Sequence, residues 1–406
     1  MEQITLSICI PTYNRARYLA VLLGMLAETL GGFDHSYELV ISDNASTDKT
    51  EEVVNSYMGL LPIRYFRQHT NIGAEGSLLF ATSQAQGQLF MYLADDDFID
   101  LQGLTQAIDL LMKHPESVAL YAPWRLYDLV NNTNQGTFYS QPADILIQKD
   151  DYASLVKHII AHRVWPEISI VRTELFRRIM PKFNSLAYWA FTIPCDYLTC
   201  GHILFAATPF YISISSYFSD EVRGQAGHLE TESAWDRYRG GWEYMLGRAI
   251  ENLTNEEIGI IRNGIDRMVV DRMTVALRLR WHGKNDPIDN YYLACRLRGL
   301  GAQAMLPATM DSIRSKAALW FATHDTSLLR GTDSICCVGS FSYDVLTALR
   351  SQTEIVITSH ETMPMDLNNA VVLLSGDLAG HPVDIDRERA RGNKLIAEAD
   401  LMRKFN

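Results

Sequence analysis

Strand-like and helix-like stretches alternate through the first 100 residues, and this alternation limits the fold more than any other feature of the chain. The four stretches with strand character are residues 5–10, 37–42, 63–67 and 89–94, and helical patterns separate them. Strands that alternate with helices form a mainly parallel sheet with helices on both faces. The sequence therefore predicts an α/β fold.

Each predicted strand ends in a polar cluster. The clusters are Pro11-Thr12-Tyr13-Asn14-Arg15, residues 43–48, Asn71-Ile72-Gly73 and Asp95-Asp96-Asp97. The carboxyl ends of parallel strands meet at one edge of a sheet, and ligands of such sheets bind there. We therefore expect the four clusters to share one rim.

Three consecutive carboxylates, Asp95, Asp96 and Asp97, follow a strand that is otherwise apolar. Like charges this close raise one another's pKa unless a cation or a donor group neutralises them. A hard divalent ion with oxygen ligands, Mg²⁺ or Mn²⁺, suits such a cluster and usually shares its coordination sphere with substrate phosphates. The alternative is a solvated acidic turn, and the cluster alone leaves both open.

Composition narrows the class of protein. The chain has 406 residues, of which 47% are hydrophobic and 21% charged, and this predicts two or three soluble domains rather than a disordered or fibrous protein. The net charge of −12 argues against nucleic acid as a partner. No apolar run has the length of a membrane span, and no signal peptide is predicted. Six cysteines without C-x-x-C spacing indicate reduced thiols of a cytosolic protein.

The four clusters together resemble those of the family-2 inverting glycosyltransferases, which have the GT-A (nucleotide-diphospho-sugar transferase) fold. The similarity runs through "SICIPTYNRARYL", "ELVISDNASTDKT", "NIGAEGS" and "LFMYLADDDFID" and continues more weakly to about His228. It is most similar to bacterial O-antigen and capsule enzymes, including the abequosyltransferase-like branch. Ala94 occupies the place where many relatives have the first aspartate, so the sequence leaves open which aspartates touch the metal.

The resemblance implies a nucleotide pocket and a metal site. The pocket would be lined by Pro11, Thr12, Tyr13, Arg15, Asp43, Asn71, Gly73 and Asp95, and Mn²⁺ or Mg²⁺ would be held by Asp96 and Asp97. A carboxylate at Asp43 only accepts hydrogen bonds, which suits the N3–H of uracil or thymine or the amine of cytosine. Asp43 and Ser46 also fit a helix cap, and the two readings are compatible.

An inverting transfer needs a base that removes the proton of the acceptor hydroxyl. The resemblance places it about a hundred residues beyond the metal cluster, where Asp196 lies (196 − 97 = 99). Pro194 before it predicts a loop-to-helix junction, and the alternative for Asp196 is an N-cap. Glu167 is the rival carboxylate. The alternative role of Glu167 is to bind a sugar hydroxyl, with the indole of the nearby Trp165 stacking on the apolar face of the sugar ring.

Two basic regions suggest further contacts. Arg223 and His228 lie on a glycine-bearing loop that could close over the donor diphosphate, or form a solvated surface loop. The mostly helical middle of the chain is rich in arginine. We interpret these arginines as the charged outer face of a helical bundle. The less favoured alternative is peripheral contact with an anionic membrane surface.

These observations predict a GT-A domain over residues 1–230, a helical segment over 231–330 and a small α/β accessory domain over 331–406. Within the first domain a helix is predicted over residues 73–84. The accessory domain is predicted to contain strands over 334–338, 354–358 and 370–374 and a helix over 343–350. The predicted function is metal-assisted, inverting transfer of a sugar from a nucleoside-diphosphate sugar to a hydroxyl of a surface polysaccharide or a lipid-linked glycan. We expect a cytoplasmic location, with membrane contact or a homo-oligomer left open. A sugar nucleotidyltransferase and a non-catalytic scaffold of a glycan-assembly complex are the alternatives.

Overall fold

The computed structural model describes residues 3–179, 185–220, 231–283, 286–332, 334–341, 346, 347, 350 and 356–404. The chain forms two compact units. One comprises Met1–Gln225 with Asp236–Ile265, and the other comprises Ala226–Trp235 with Asp266–Asn406.

The first unit alternates strands and helices, as the sequence predicts. Its strands are β1 (Leu6–Thr12), β2 (Tyr37–Asp43), β3 (Ile63–Arg67), β4 (Leu89–Tyr92), β5 (Phe98–Ile99), β6 (Ser117–Tyr121), β7 (Trp124–Asp128), β8 (Thr133–Thr137), β9 (Ile145–Ile147), β10 (Ser169–Arg172), β11 (His202–Phe205) and β12 (Tyr211–Ser216). Its helices are α1 (Ala16–Thr29), α2 (Thr50–Tyr57), α3 (Gly73–Gln84), α4 (Leu101–Lys113), α5 (Tyr152–His162), α6 (Thr173–Ile179), α7 (Trp189–Leu198), α8 (Trp235–Ala249) and the start of α9 (Asn255–His282).

Within the described residues, eight strands form the main sheet in the order β3-β2-β1-β4-β10-β6-β11-β9. The first four are mutually parallel, and β10 runs antiparallel to both of its neighbours. The start of β10 therefore lies at the same edge as the carboxyl ends of β4 and β6. This reversal brings the segment before β10 to the rim that the sequence predicts for the polar clusters.

The register of the first strands aligns their last residues. Thr12 pairs with Asp43, and Asp43 pairs with Arg67. The β1 and β2 strands are almost wholly buried, as is usual for parallel strands covered on both faces.

Helix α1 covers this part of the sheet with an apolar face that includes Leu19, Leu22 and Leu26. Asp48 joins the first turns of two helices, because it accepts hydrogen bonds from the backbone N–H groups of Ala16 and Thr50, each at 3.0 Å.

A smaller sheet packs its strands in the order β5-β12-β7-β8. Strand β5 follows the aspartate cluster directly and pairs with β12. Helix α4 then begins at the N-cap Asp100, whose side chain accepts from the backbone N–H of Gly103. A Cβ atom at Gly103 would lie 2.1 Å from the carbonyl oxygen of Pro209, so only glycine permits this close approach before β12.

The second unit contains helices and a parallel sheet. Its helices are the rest of α9, α10 (Pro287–Gly299), α11 (Met310–His324), α12 (Thr326–Leu329), α13 (Ile385–Ala390) and α14 (Glu398–Lys404), and its strands are β13 (Ser334–Val338), β14 (Val356–His360), β15 (Ala370–Leu374) and β16 (Lys394–Ala397). The sheet order is β14-β13-β15-β16. The sequence predicted β13 and β15 correctly and missed β16, whose four residues include a lysine.

Helix α11 shares a hydrophobic core with this sheet. Ala318, Leu319 and Ala322 pack with Ile335 and Val371 in one cluster of buried side chains. The small sheet thus obtains the cover that so short a segment needs. Most of the helix predicted over residues 343–350 lies outside the described residues.

All six cysteines are free thiols. Within the ranges that the structure describes, no helix has both the length and the apolarity to cross a membrane.

Candidate active site

The loops that follow β1, β2 and β4 meet at one rim and bond to one another. The Thr12 hydroxyl donates to Asp95 Oδ2 at 2.7 Å, which joins the ends of β1 and β4. The Asn14 backbone N–H donates to the Ser46 hydroxyl at 2.9 Å, which joins the loops after β1 and β2. The convergence expected from the sequence is therefore present in the structure.

The cluster after β3, Asn71-Ile72-Gly73, joins the same rim through Asn44, a residue to which the sequence analysis gave no role. Its side-chain amide donates to Asn71 Oδ1 at 2.9 Å and to the Gly73 carbonyl at 3.1 Å. Gly73 has φ = +82°, a left-handed conformation that favours glycine. The loop after β3 is thus held beside the loop after β2 by side-chain amides.

Arg15 provides positive charge to the aspartate cluster. Its Nη2 atom lies 2.8 Å from Asp96 Oδ2, and its Nε atom lies 3.6 Å from Asp95 Oδ1. Burial alone would lower the pKa of Arg15, but the charges of Asp95 and Asp96 outweigh it and raise that pKa. The two carboxylates are buried, and the adjacent guanidinium offsets part of their negative charge.

Asp97 has a different environment from its two neighbours. Its Oδ2 accepts from the Tyr211 hydroxyl at 2.8 Å, and its Oδ1 accepts from the Ile214 backbone N–H at 2.8 Å. The same tyrosine oxygen accepts from the Ala94 backbone N–H at 3.1 Å. Asp97 therefore fastens the cluster to β12, and Tyr211 is a site residue that sequence reasoning missed.

The carboxylate oxygens of the aspartate cluster could provide some, but not all, of the ligands of a divalent cation. Carboxylate oxygens are the ligands that Mg²⁺ and Mn²⁺ prefer, and Mg²⁺ is commonly bound by one or two carboxylates plus substrate phosphates. Among the described residues, no group of three or more histidine, cysteine, aspartate or glutamate side chains is arranged to hold a metal. The geometry fits an ion that takes one or two carboxylates here and completes its sphere with a ligand.

Asp43 lies fully buried at the end of β2. Its Oδ1 accepts from the Ser46 backbone N–H at 2.8 Å, and its Oδ2 accepts from the Tyr65 hydroxyl at 2.6 Å. Burial raises the pKa of Tyr65, and the hydrogen bond to Asp43 raises it further. Tyr65 therefore stays a hydrogen-bond donor, and it covers the carboxylate that the resemblance assigns to the nucleotide base.

The β1–α1 turn presents the remaining predicted nucleotide contacts. The Tyr13 side chain is 44% exposed, whereas Pro11 is partly buried and Thr12 is buried. An exposed aromatic ring at this rim offers a stacking surface for a planar base.

Glu167 lies just before β10 and so reaches the rim through the antiparallel strand. Its Oε1 accepts from the Tyr188 hydroxyl at 2.9 Å. Burial raises the pKa of Tyr92, and the charges of Asp97, Asp95, Asp96 and Glu167 raise it further. The charges of Glu167 and of the aspartate cluster thus act on the same partly buried tyrosine.

Trp165 does not have the exposed face that the sequence analysis expected. It is 5% exposed, and its ring meets the edges of other aromatic rings, including Tyr238 at 4.8 Å and Trp242 at 5.9 Å between centroids. The predicted stacking of a sugar on this indole is therefore wrong. The cause is the helix α8, whose aromatic side chains enclose the indole in a core that no local sequence pattern reveals.

Asp196 lies in helix α7, seven residues after the helix begins at Trp189. Pro194 is inside this helix, so the predicted loop-to-helix junction at Pro194 and the alternative N-cap role of Asp196 are both wrong. The apolar residues before the proline are buried and extend the helix towards the N-terminus. Asp196 itself is half-buried.

Asp196 lies two residues before the end of α7, which leads into β11. Because β11 runs parallel to β6, it begins at the edge of the sheet opposite the carboxyl ends of β4 and β6. The structure therefore brings Glu167, but not Asp196, to the rim. Arg223 and His228 lie outside the described residues.

Comparison with known protein families finds a match over part of the chain. Residues 7–180 match the sequence model of Glycosyl transferase family 2. The aspartate cluster, Asp43, Arg15 and Glu167 all fall within the matched segment.

Two curated relatives are similar over shorter segments. Poly(ribitol-phosphate) beta-N-acetylglucosaminyltransferase TarS of Staphylococcus aureus (strain Mu50) is 32% identical over 116 residues, which are 28% of this chain and 20% of TarS. Abequosyltransferase RfbV of Salmonella typhimurium is 41% identical over 96 residues, 23% of this chain and 28% of RfbV. The chain thus spans less than a third of the length of either relative.

The crystal structure of S. aureus TarS 1–349 in complex with UDP-GlcNAc is similar to this chain with a TM-score of 0.44 and 18% identity. The similarity covers 74% of this chain and 89% of that chain.

Proposed function

We propose that the protein transfers one sugar, with inversion, from a nucleoside-diphosphate sugar to a hydroxyl of a surface polysaccharide or a lipid-linked precursor. The observation that supports this most is the ion pairing of Arg15 with the buried carboxylates of Asp95 and Asp96, at the rim that the loops after β1, β2 and β4 share. A charged cluster of this kind sits where an α/β sheet binds its ligand.

In this proposal the β1–α1 turn and the loop after β2 hold the nucleoside. Tyr13 stacks on the base, Asp43 accepts from the base edge once Tyr65 gives way, and Asn71 and Gly73 line the opposite side. Asp95 contacts the ribose or the diphosphate. Because Asp43 is an acceptor, uridine, thymidine and cytidine donors are favoured over guanosine donors.

We propose Asp95 and Asp96 as the carboxylates that would hold Mn²⁺ or Mg²⁺, in place of the pair Asp96 and Asp97. The two oxygens of Asp97 already accept hydrogen bonds from Tyr211 and Ile214, so its first role is to position the cluster. The ion would neutralise charge on the leaving diphosphate. Arg15 would provide further positive charge at the same place.

Glu167 is proposed as the base that takes the proton of the acceptor hydroxyl, in place of Asp196. It lies directly before β10, at the edge where β4 ends in the aspartate cluster, whereas Asp196 lies near the junction of α7 with β11. The hydroxyl of Tyr188 donates to Glu167 Oε1 at 2.9 Å and would orient the carboxylate towards the acceptor.

The direct test is release of nucleoside diphosphate from a panel of UDP-, dTDP- and CDP-sugars, measured with and without an acceptor glycan. UDP-N-acetylglucosamine and CDP-abequose come first, because the two relatives carry those sugars in their names. Acceptor-dependent release that EDTA abolishes supports the proposal. Consumption of added pyrophosphate, with formation of a nucleoside triphosphate and a sugar 1-phosphate, would indicate a nucleotidyltransferase. Binding without turnover of any donor would indicate a scaffold.

A further inference from the structure

The sheet of the second unit reverses its strand order at one point. Strand β14 lies on one side of β13, and β15 followed by β16 lies on the other, with all four strands parallel. The connections that leave β13 and β15 therefore diverge. Open parallel sheets bind ligands outside the carboxyl ends of the strands at such a switch point.

A cavity of about 300 Å³ lies at this switch point. Ser340 and Phe341 reach it from the loop after β13, Gly376 from the loop after β15, and Glu398 from the end of β16. Ligand pockets of proteins span ~300–1,000 Å³, so the cavity has room for one ring-sized ligand.

The two loops at the switch point are fitted closely to each other. Gly339 has φ = +101°, and a Cβ atom there would lie 2.1 Å from the Ser375 hydroxyl oxygen. The Ser340 backbone N–H donates to that same oxygen at 3.0 Å. The short Gly-Ser turn after β13, uninformative in the sequence, thus has a defined place in the structure.

The polar wall of the cavity consists of acceptors and hydroxyl groups. Glu398 Oε2 accepts from the Gly376 backbone N–H at 3.0 Å, and its Oε1 accepts from the Ser315 hydroxyl. Asp311 is a second carboxylate of the wall, and Arg314 pairs with it at 2.9 Å. The remaining charge of the wall is therefore negative, which disfavours an anionic ligand.

The opposite wall is apolar. Phe341, Ala399 and Met402 line it, and the first and last of these are only partly buried by the protein. One wall that accepts hydrogen bonds and one that is apolar match a ring with hydroxyl groups along one edge and C–H groups on its face.

We propose that this cavity binds a neutral, hydroxyl-bearing ring, either a monosaccharide unit or the ribose of a nucleoside. The hydroxyls of the ligand donate to Glu398 and exchange hydrogen bonds with the serines. The ring face packs on Phe341 and Met402. This site belongs to the second unit and does not depend on the activity proposed for the first.

The test is ligand binding to the full-length chain by saturation-transfer NMR and isothermal titration. The probes are N-acetylglucosamine, uridine, adenosine and inorganic phosphate, each with UDP in excess to occupy the donor site of the first unit. We expect saturable binding of the sugar or of the nucleosides, which tells the two sources apart, and no binding of phosphate.

Two variants fill the cavity, namely Ala399→Trp and, at its exposed mouth, Ser340→Trp. The matched control is Ala390→Trp at the exposed end of α13, outside the cavity. Both cavity variants should lose binding, and the control should keep it. Glu398→Gln should weaken binding ~10-fold or more, because the hydroxyls of the ligand would then donate to a neutral amide oxygen instead of a charged carboxylate. Thermal unfolding and UDP binding check that each variant is folded.

Three results would overturn the proposal. They are failure of every neutral probe to bind, binding that survives in both folded cavity variants, and binding of phosphate alone. A chain that binds no UDP but binds a neutral probe in a manner sensitive to Ala399→Trp would refute the function of the first unit and leave this site intact.

Discussion

The guanidinium of Arg15 lies 2.8 Å from the carboxylate of Asp96, so a side chain of the protein itself supplies positive charge to the aspartate cluster. A divalent ion bound at Asp96 must share that oxygen with Arg15 or take its place. The ion and the arginine are therefore linked, and changing one should alter the response to the other.

Arg15→Ala should lower the free energy of unfolding by about 1–3 kcal/mol in EDTA. The loss is smaller than for a fully buried pair because Arg15 is 27% exposed. Saturating Mn²⁺ should raise the melting temperature of this variant more than that of the wild type, because the ion replaces the missing charge and stabilises the folded state. Arg178→Ala, at the exposed pair with Glu174, is the control. An equal Mn²⁺ effect in all three proteins would contradict a metal at this cluster.

The variants Asp97→Ala and Asp96→Asn should distinguish a structural role in the aspartate cluster from a direct role in sugar transfer. Asp97→Ala leaves the Tyr211 hydroxyl and the Ile214 N–H without their acceptor, so we expect a loss of about 2–4 kcal/mol in urea unfolding. Asp96→Asn should change stability by about 1 kcal/mol or less while turnover falls ~10²-fold or more. Tyr211→Phe, combined with Asp97→Ala, should add little to the single change. Full additivity would show that the two side chains do not act through one hydrogen bond.

Glu167→Gln should reduce turnover ~10²-fold or more with little change in donor binding, because glutamine keeps the size of the side chain but cannot take up the proton. Asp196→Asn should retain most of kcat. Steady-state kinetics with varied acceptor measures both. Tyr188→Phe, which removes only the hydrogen bond to Glu167, is the matched control. An inactive Asp196→Asn beside an active Glu167→Gln would return the role of base to Asp196.

His158 should make the first unit sensitive to mild acid. Burial, and then the charge of His162, lower the pKa of His158 from 6.5 to about 4, and its Nε2 lies 3.2 Å from Gln141 Oε1. The unfolded chain binds the proton first as the pH falls, so stability is complete above pH 6.5 and declines towards pH 4, by about 1–3 kcal/mol from this group.

Urea unfolding across that range measures the decline. His158→Gln should flatten it, even if the variant is less stable at neutral pH. An unchanged slope in His158→Gln would assign the pH dependence to other groups.

The local part of the fold could be predicted from the sequence. The bounds of β3, α3 and β15 agree with the predicted ranges, because each has a clear period or apolar run between turn residues. The shared rim also follows from the sequence, since parallel strands place their carboxyl ends together.

Contacts between distant segments could not be predicted. Tyr211 bonds to Asp97 across 114 residues of sequence, and its own strand gives no sign of a partner. The indole ring of Trp165 is of a type that often stacks on sugars, yet helix α8 encloses it in the core. Pro194 signals a break when read alone, but the buried residues from Ala190 to Ile193 hold it within a helix. Each difference arises because tertiary packing overrides a local preference.

The paired register of Thr12, Asp43 and Arg67 means that the length of β2 has to be conserved to the residue. Successive side chains of a strand point to opposite faces, so one inserted residue before Asp43 would turn that carboxylate away and present its neighbour instead. The loops after the strands have no such constraint. Length variation compatible with donor binding is thus confined to one end of each strand, where specificity can change without resetting the sheet.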